Sequence, residues 1–318
     1  MSFLEAILSG NNAQETKKKQ ICAIAIAATA VLLVICIIAF AICQVVDITS
    51  NLTNKEKDTG EIEDSIDFGE TTSIELSETQ IYSGNLLTLN DDNHYKGEPE
   101  LINIEDARDE HGAFISLFGN KNFFEATPKT AQALFDMVVD CNKALAEDGS
   151  DDDNLVLSGA YNVNEISTQK GVYSSGEAVA ISCCYEGSTQ DIRPINEVPK
   201  YKWIYNNAHK YGFVPVSANS NVFRYVGVQH ATAARSNGTY LNTYLKKLKN
   251  ATVEAPLTLD ANGTSVAYYC PINDVKVPKN YDYDISGDNV GGVIITVNLS
   301  KPSQNSGNGS INDVEAIG

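Results

Sequence analysis

The spacing of apolar and polar positions divides the chain into unequal parts. From Ile21 to Val46 no charge interrupts an apolar run in which only Thr29 and Gln44 are polar. A membrane span needs about 20 such residues, so the pattern predicts a transmembrane helix over 21–46. Positions 47–80 are polar and acidic, with Glu56, Asp58, Glu61, Glu63, Asp64, Asp67 and Glu70 and few aromatics. Such a stretch cannot bury a core and is expected to be a linker. Beyond it, Leu86, Leu87 and Leu89 predict a strand. Thr127 before Pro128 marks a helix start, and Ala131, Leu134, Phe135, Val138 and Leu145 fall on one helical face. The acidic turn from Glu147 to Asp153 closes that helix. Leu155–Leu157 and Glu177–Ser182 predict buried strands, Tyr201–Tyr211 a helix ended by Gly212, and Thr239–Leu248 a last helix with Leu241, Leu245 and Leu248 on one side.

After Asn250 the pattern changes to short β-type runs at Leu257–Leu259, Ser265–Tyr269, Val275–Val277 and Val293–Val297. Asn262-Gly263 and Gly291-Gly292 supply turns between them. Residues 301–318 are rich in Ser, Asn and Gly and are expected to be disordered. The expected division is a cytoplasmic N-terminus at 1–20, a span at 21–46, an acidic linker at 47–80, a folded domain at 81–250, a β extension at 251–300 and a tail at 301–318. The fold class expected for the folded domain is α+β, a small antiparallel sheet with flanking helices.

Charge fixes the direction of the anchor. Lys17, Lys18 and Lys19 precede the apolar run and Asp47 follows it, which places the N-terminus in the cytoplasm and the rest outside. A cleavable signal peptide is the rival, since Ala39-Phe40-Ala41 has an A-x-A form. Its apolar region would be only about 7–15 residues, and these alanines lie within the run, so an uncleaved single-pass anchor is the expectation. With 41 acidic and 23 basic residues the chain carries a formal charge of −18. That argues against gripping a nucleic-acid backbone and fits solubility. Of the 7 cysteines, Cys22, Cys36 and Cys43 lie in the span, where cysteine acts as a small apolar residue. Cys141, Cys183, Cys184 and Cys270 lie outside it, lack zinc-finger spacing, and leave room for one or two disulfides without fixing a pairing.

Several short motifs occur in a telling order. Asn85-Leu86-Leu87-Thr88-Leu89-Asn90 and His94-Tyr95 come first, then the helix from Thr127, Leu157-Ser158-Gly159 and Gly176-Glu177-Ala178-Val179. Asn207-Ala208-His209-Lys210-Tyr211-Gly212-Phe213, Phe223-Arg224-Tyr225-Val226-Gly227 and the helix Tyr240–Leu248 follow. In order and spacing this resembles the VanY-type D-alanyl-D-alanine carboxypeptidases of bacterial peptidoglycan, over roughly residues 82–250. The segment Tyr283-Asp284-Ile285-Ser286-Gly287-Asp288-Asn289-Val290 resembles a tail carried by some clostridial relatives. In a bacterial protein the N-x-S/T sequons at Asn51, Asn237, Asn250, Asn262, Asn298 and Asn308 are accidents of an Asn-rich surface.

The resemblance implies a catalytic zinc. In the family an S-x-H-x-x-G-x-A-x-D motif gives His and Asp ligands. An E-x-W-H motif gives the third ligand and the general base, and S-G-Y-R gives an arginine for the substrate carboxylate. Here Tyr173 stands at the His position, Ala180 at the Asp, Asn219 at the Glu, Val222 at the third ligand and Tyr161 at the Arg. The connection from Ser158 to Gly171 is short, removing part of a cleft wall. Alanine and valine have no lone pair for zinc, and asparagine takes no proton from water at neutral pH. The expectation is therefore a pseudopeptidase with no cofactor. It would bind a peptidoglycan stem peptide or an envelope protein, with Ser158, Tyr161, Tyr173 and Ser174 as substrate-cleft candidates. The alternatives are an active zinc carboxypeptidase with displaced ligands and a purely structural envelope component. Of the histidines, His209 reads as a surface residue beside Lys210, and His230 as a cap or surface residue after the Gly227 turn. A Cys184 nucleophile with His230 as base ranks below a disulfide or a buried thiol.

Overall fold

The computed structural model describes residues 69–111, 116–117, 123–147, 154–188 and 190–302. The expected span at 21–46, the segment before it, most of the linker, most of the acidic turn at 147–153 and all but the start of the tail lie outside the described residues. Among the described residues no helix is long and apolar enough to cross a membrane.

The described chain begins with strand β1 (Thr71–Ile74) and a 3-10 turn at Glu78–Tyr82. Next come β2 (Ile102–Asn103), helix α1 (Ile104–His111), β3 (Ser116–Leu117), β4 (Phe124–Ala126) and the long α2 (Pro128–Glu147). β5 (Asn154–Gly159), β6 (Tyr161–Asn162), β7 (Ala178–Cys184) and β8 (Ile192–Pro194) follow, then α3 (Lys202–Asn207), β9 (Phe213–Pro215) and β10 (Val222–Tyr225). α4 (Val228–Ser236) and α5 (Leu241–Asn250) lead to β11 (Leu257–Thr258), β12 (Ser265–Pro271), β13 (Val275–Pro278), β14 (Tyr281–Gly287) and β15 (Gly292–Pro302).

The central sheet runs in the order β3-β5-β7-β10-β9, with β8 also paired to β7. Its pairs are antiparallel except β3 with β5, a departure from the wholly antiparallel sheet expected. Helix α2 covers one face. Its start is capped by Thr127, whose Oγ1 accepts the Thr130 N–H at 3.3 Å, and Pro128 occupies the first turn, where its missing N–H costs nothing. The predicted face, Ala131, Leu134, Phe135, Val138 and Leu145, is buried together with Met137 and Cys141. It packs against Leu155, Leu157, Val179, Ile181 and Phe223 in one cluster. Strand β7 is buried at every position, so alternation shows there only in that Val179, Ile181 and Cys183 join the α2 cluster while Ala178, Ala180, Ser182 and Cys184 do not.

The other main cluster joins Leu86, Val214, Val226, Leu241, Tyr244 and Leu248 to Leu259, Ala267 and Ile294. Residues beyond Asn250 therefore share apolar packing with the helices before it. They form a four-stranded antiparallel sheet, β11-β12-β15-β14. The Gly291-Gly292 turn is held by Asp288, whose Oδ1 accepts the N–H groups of Val290, Gly291 and Gly292 at 2.8–3.0 Å.

Three local expectations are corrected. Residues 71–74, assigned to the linker, pair antiparallel with β13, Thr72 opposite Val277; two β-branched threonines and Ile74 suit a short strand despite the acidic neighbours. Leu86, Leu87 and Leu89 are buried but lie outside any strand, because the backbone there bonds elsewhere. The Leu86 N–H donates to Ser286 Oγ at 2.9 Å, the Thr88 N–H to the Asp288 carbonyl at 2.9 Å, and the Leu87 carbonyl accepts from Arg224. The expected helix at 201–211 is α3 flanked by 3-10 turns at Pro199–Tyr201 and Ala208–Tyr211. Gly212 ends it at φ 85°, where a Cβ would sit 2.6 Å from the Tyr225 ring.

Candidate functional site

Three of the positions marked by motif, Tyr173, Ala180 and Val222, come together at the face of the central sheet opposite α2, while Tyr161 lies on β6 in the β2-β4-β6 sheet and Asn219 in the β9–β10 turn. Val222 on β10 is the direct cross-strand partner of Ala180 on β7, so their Cβ atoms share a face about 4.5–5.5 Å apart. Gly159, at the end of β5, is the partner of Ala180 on the other side. Tyr173 comes from the 3-10 turn Gly171–Tyr173 and lays its phenol over Gly159. A Cβ built there would lie 3.1 Å from both the Tyr173 Oη and the Ala180 Cβ. Tyr173, Ala180 and Val222, read from separate parts of the sequence, thus meet through Gly159 and the β7–β10 register.

The donor set does not fit zinc. Alanine and valine offer only carbon. Burial pushes the Tyr173 phenol up to about 12, so it is a neutral hydroxyl near pH 7 rather than an anionic ligand. Among the described residues no three His, Cys, Asp or Glu side chains come together as a metal site. Asn219 lies in the turn between β9 and β10 at φ 55°, in the left-handed region that asparagine tolerates better than most residues.

The cleft candidates fall into two kinds. Ser158 stands at a register shift in the β5–β7 pairing. Its Oγ is 2.8 Å from Ser182 Oγ and donates to the Ala180 carbonyl at 3.3 Å. Tyr161 is half-buried on β6, paired with Glu125 of β4. Ser174, in contrast, is buried, accepting the Tyr95 N–H at 2.8 Å and donating to the Gly171 carbonyl at 2.6 Å. Its hydroxyl shapes the turn that presents Tyr173 instead of offering a free group to a ligand.

Next to this centre lies a buried ion pair. Glu177, just before β7, meets Arg224 of β10 at 3.1 Å, and both are buried. Arg224 also donates to the carbonyls of Leu87 and Asn85, and Ser175 donates to Glu177 at 3.1 Å. Burial lifts Glu177 above the ordinary carboxylate range, while the Arg224 charge and the Ser175 hydroxyl draw it back. The motif R-Y-V-G, quoted for its resemblance, thus contributes a strut between the sheet and the leading segment.

The histidine and cysteine alternatives are corrected by position. His230 lies within α4 and is buried, with Nδ1 2.7 Å from Tyr244 Oη and Nε2 2.9 Å from Thr296 Oγ1. Both ring nitrogens are committed, and burial alone lowers its pKa to about 4, so it is neither a surface residue nor a base for Cys184. Cys141, Cys183, Cys184 and Cys270 are buried, and among the described residues no disulfide joins them. His209 is only half-buried, with Nδ1 enclosed and lacking a hydrogen-bond partner.

One feature escaped the motif reading. A cavity of about 410 Å³ opens at the β9 edge, lined by α3 and its flanking turns, by α4 and by the 238–240 turn. Of the five positions aligned with the family's reactive residues, Tyr161, Tyr173, Ala180, Asn219 and Val222, Asn219 alone is among the described residues that line it. Nothing in sequence spacing announces it, because its walls come from segments joined only by tertiary packing.

No family model matches the chain. A D-alanyl-D-alanine carboxypeptidase from Enterococcus faecium is 27% identical over 251 residues, covering 70% of this chain and 78% of the relative. Among solved structures, the vancomycin resistance D,D-dipeptidase VanXYg, determined with a D-Ala-D-Ala phosphinate analogue, superposes with a TM-score of 0.52 at 19% identity. It covers 72% of this chain and 99% of that one. That likeness shows a shared fold and extends over the whole of the solved enzyme.

Proposed function

We propose that this chain, a member of the VanY-like family of D-alanyl-D-alanine carboxypeptidases, holds a peptidoglycan peptide without cleaving it. The observation that carries the reading is the convergence of Tyr173, Ala180 and Val222 at one point of the sheet. Those are the three positions that the family resemblance assigns to zinc, and here they supply one neutral phenol and two hydrocarbon side chains. Without a metal no water is acidified there, and Asn219 cannot serve as a base in place of a glutamate. The Tyr173 ring over Gly159, with Ser158 before that glycine and Tyr161 two residues after it, offers a surface suited to stacking on a peptide and bonding to it. We place the folded part outside a bacterial membrane on the single-pass anchor at 21–46, where wall peptides are within reach; Lys17–Lys19 before that run support the orientation.

The test is binding without turnover. The chain is mixed with a stem pentapeptide ending in D-Ala-D-Ala, and both retention and released D-alanine are followed. Retention without release, weakened by Tyr161→Ala, supports the reading. Release of D-alanine sinks it in favour of an active enzyme with displaced ligands. No retention leaves the structural envelope role.

A further inference from the structure

The cavity at the β9 edge has a consistent chemistry. Its inner wall is apolar, built from Ile195 and Val198 of the turn after β8, Phe213 and Val214 of β9, and Ala231 of α4. Its rim carries the cations Lys202 and Arg235, and no aspartate or glutamate is among the described residues that line it. In a chain with 41 acidic against 23 basic residues, a cavity bordered by cations alone is a local reversal of charge. Arg235 has no carboxylate partner among the described residues; its guanidinium donates to Asn206 Oδ1 at 3.1 Å. The volume of about 410 Å³ falls within the range of small-molecule sites, roughly 300–1,000 Å³.

We infer that this cavity binds a small carboxylate with an apolar body, of the size of an N-acylated amino acid or dipeptide. The apolar body lies on the Val198–Val214–Ala231 wall, and the carboxylate is met by Lys202 and Arg235 at the rim. Transfer of the body from water supplies the driving force, and the two cations supply selectivity for the ionised group. The enclosed side of His209 fits the same picture. Burial, and after it the charges of Arg235 and Lys210, hold its pKa below the usual histidine value, so those two cations are close enough to be felt at the cavity wall. Tyr161, Tyr173, Ala180 and Val222 do not line this cavity, and the assignment does not depend on what those residues hold.

Isothermal titration of the full chain with N-acetyl-leucine, N-acetyl-leucine amide and inorganic phosphate tests the assignment. The acid should saturate a single site. The amide should bind about tenfold or more weakly, as loss of a charge-assisted contact requires, and phosphate, lacking the apolar body, should also bind more weakly than the acid. The Lys202→Gln/Arg235→Gln double variant should weaken the acid about tenfold and leave the amide unchanged. Both side chains are exposed, so the melting temperature should hold and report an intact fold. Absence of saturable binding of the acid, equal affinity for acid and amide, or undiminished affinity in the double variant would each overturn the proposal.

Discussion

Two ends of one strand pair, β7 with β10, do opposite things. At one end Ala180 faces Val222 under the Tyr173 phenol, a patch of carbon and one neutral hydroxyl. At the other, Ala178 faces Arg224, and Arg224 with Glu177 forms a buried ion pair that also holds the carbonyls of Asn85 and Leu87. Val222 and Arg224 are two residues apart on the same face of β10. The costly polar chemistry therefore sits where it joins segments of the fold, and is missing where the resemblance calls for a reaction. On the proposed reading, the strut holds segments of the fold together and the Tyr173–Ala180–Val222 patch does not, so substitutions at the two ends should differ in their effect on stability.

The largest expected effect breaks the strut. Arg224→Ala leaves Glu177 buried without its partner and strips the Leu87 and Asn85 carbonyls of a donor. Breaking a buried pair costs about 3–5 kcal/mol, read as a fall in the urea midpoint. A loss below about 1 kcal/mol, the scale of a surface pair, would erase the contrast between the two ends.

Next is a pH effect at His230, which ties α4 to α5 and to β15. Its folded pKa is lowered from 6.5 to about 4, so the unfolded chain binds the proton more readily. Stability from this group is present above pH 6.5 and is lost as pH falls from there towards 4, by a total on the order of 3 kcal/mol. The difference between wild type and His230→Gln, measured by urea unfolding at pH 7 and pH 4, should shrink by about that amount. A difference independent of pH would place the imidazole in water.

The smaller effects lie at the hollow end. Gly159→Ala puts a methyl 3.1 Å from the Tyr173 Oη and from the Ala180 Cβ, a mild overpacking that should cost about 1–3 kcal/mol. Tyr173→Phe removes a hydroxyl for which no hydrogen bond is recorded among the described residues, and should change stability by less than about 0.5 kcal/mol. If Tyr173→Phe costs as much as Arg224→Ala, the phenol is a strut of its own and the two ends are alike.

The sequence made some of this legible and hid the rest for physical reasons. The α2 face was plain because Leu134, Phe135 and Val138 repeat at helical spacing on a helix with one wet side. The meeting of Tyr173, Ala180 and Val222 followed from motif order, since strand register then sets which residues face each other. Helix α4 was missed because its buried face is Ala231, Ala234 and His230, too small or too polar to register as an apolar stripe. Strand β14 was missed because Tyr281, Tyr283 and Ile285 alternate with aspartates, a pattern that reads as acidic loop until a partner strand covers it. Arg224 looked like a motif letter, and only the buried Glu177 and two distant carbonyls reveal what it holds.

The central claim is that this centre has the shape of the family's site without its metal chemistry, and zinc binding tests it most directly. Purified chain is equilibrated with excess zinc, freed of loose metal, and its metal content is measured beside the Tyr173→His/Ala180→Asp/Val222→His/Asn219→Glu variant. The account predicts that the wild type retains far less than one zinc per chain and that the variant retains more. One tightly held zinc per wild-type chain, with D-alanine released from peptides ending in D-Ala-D-Ala, would contradict it.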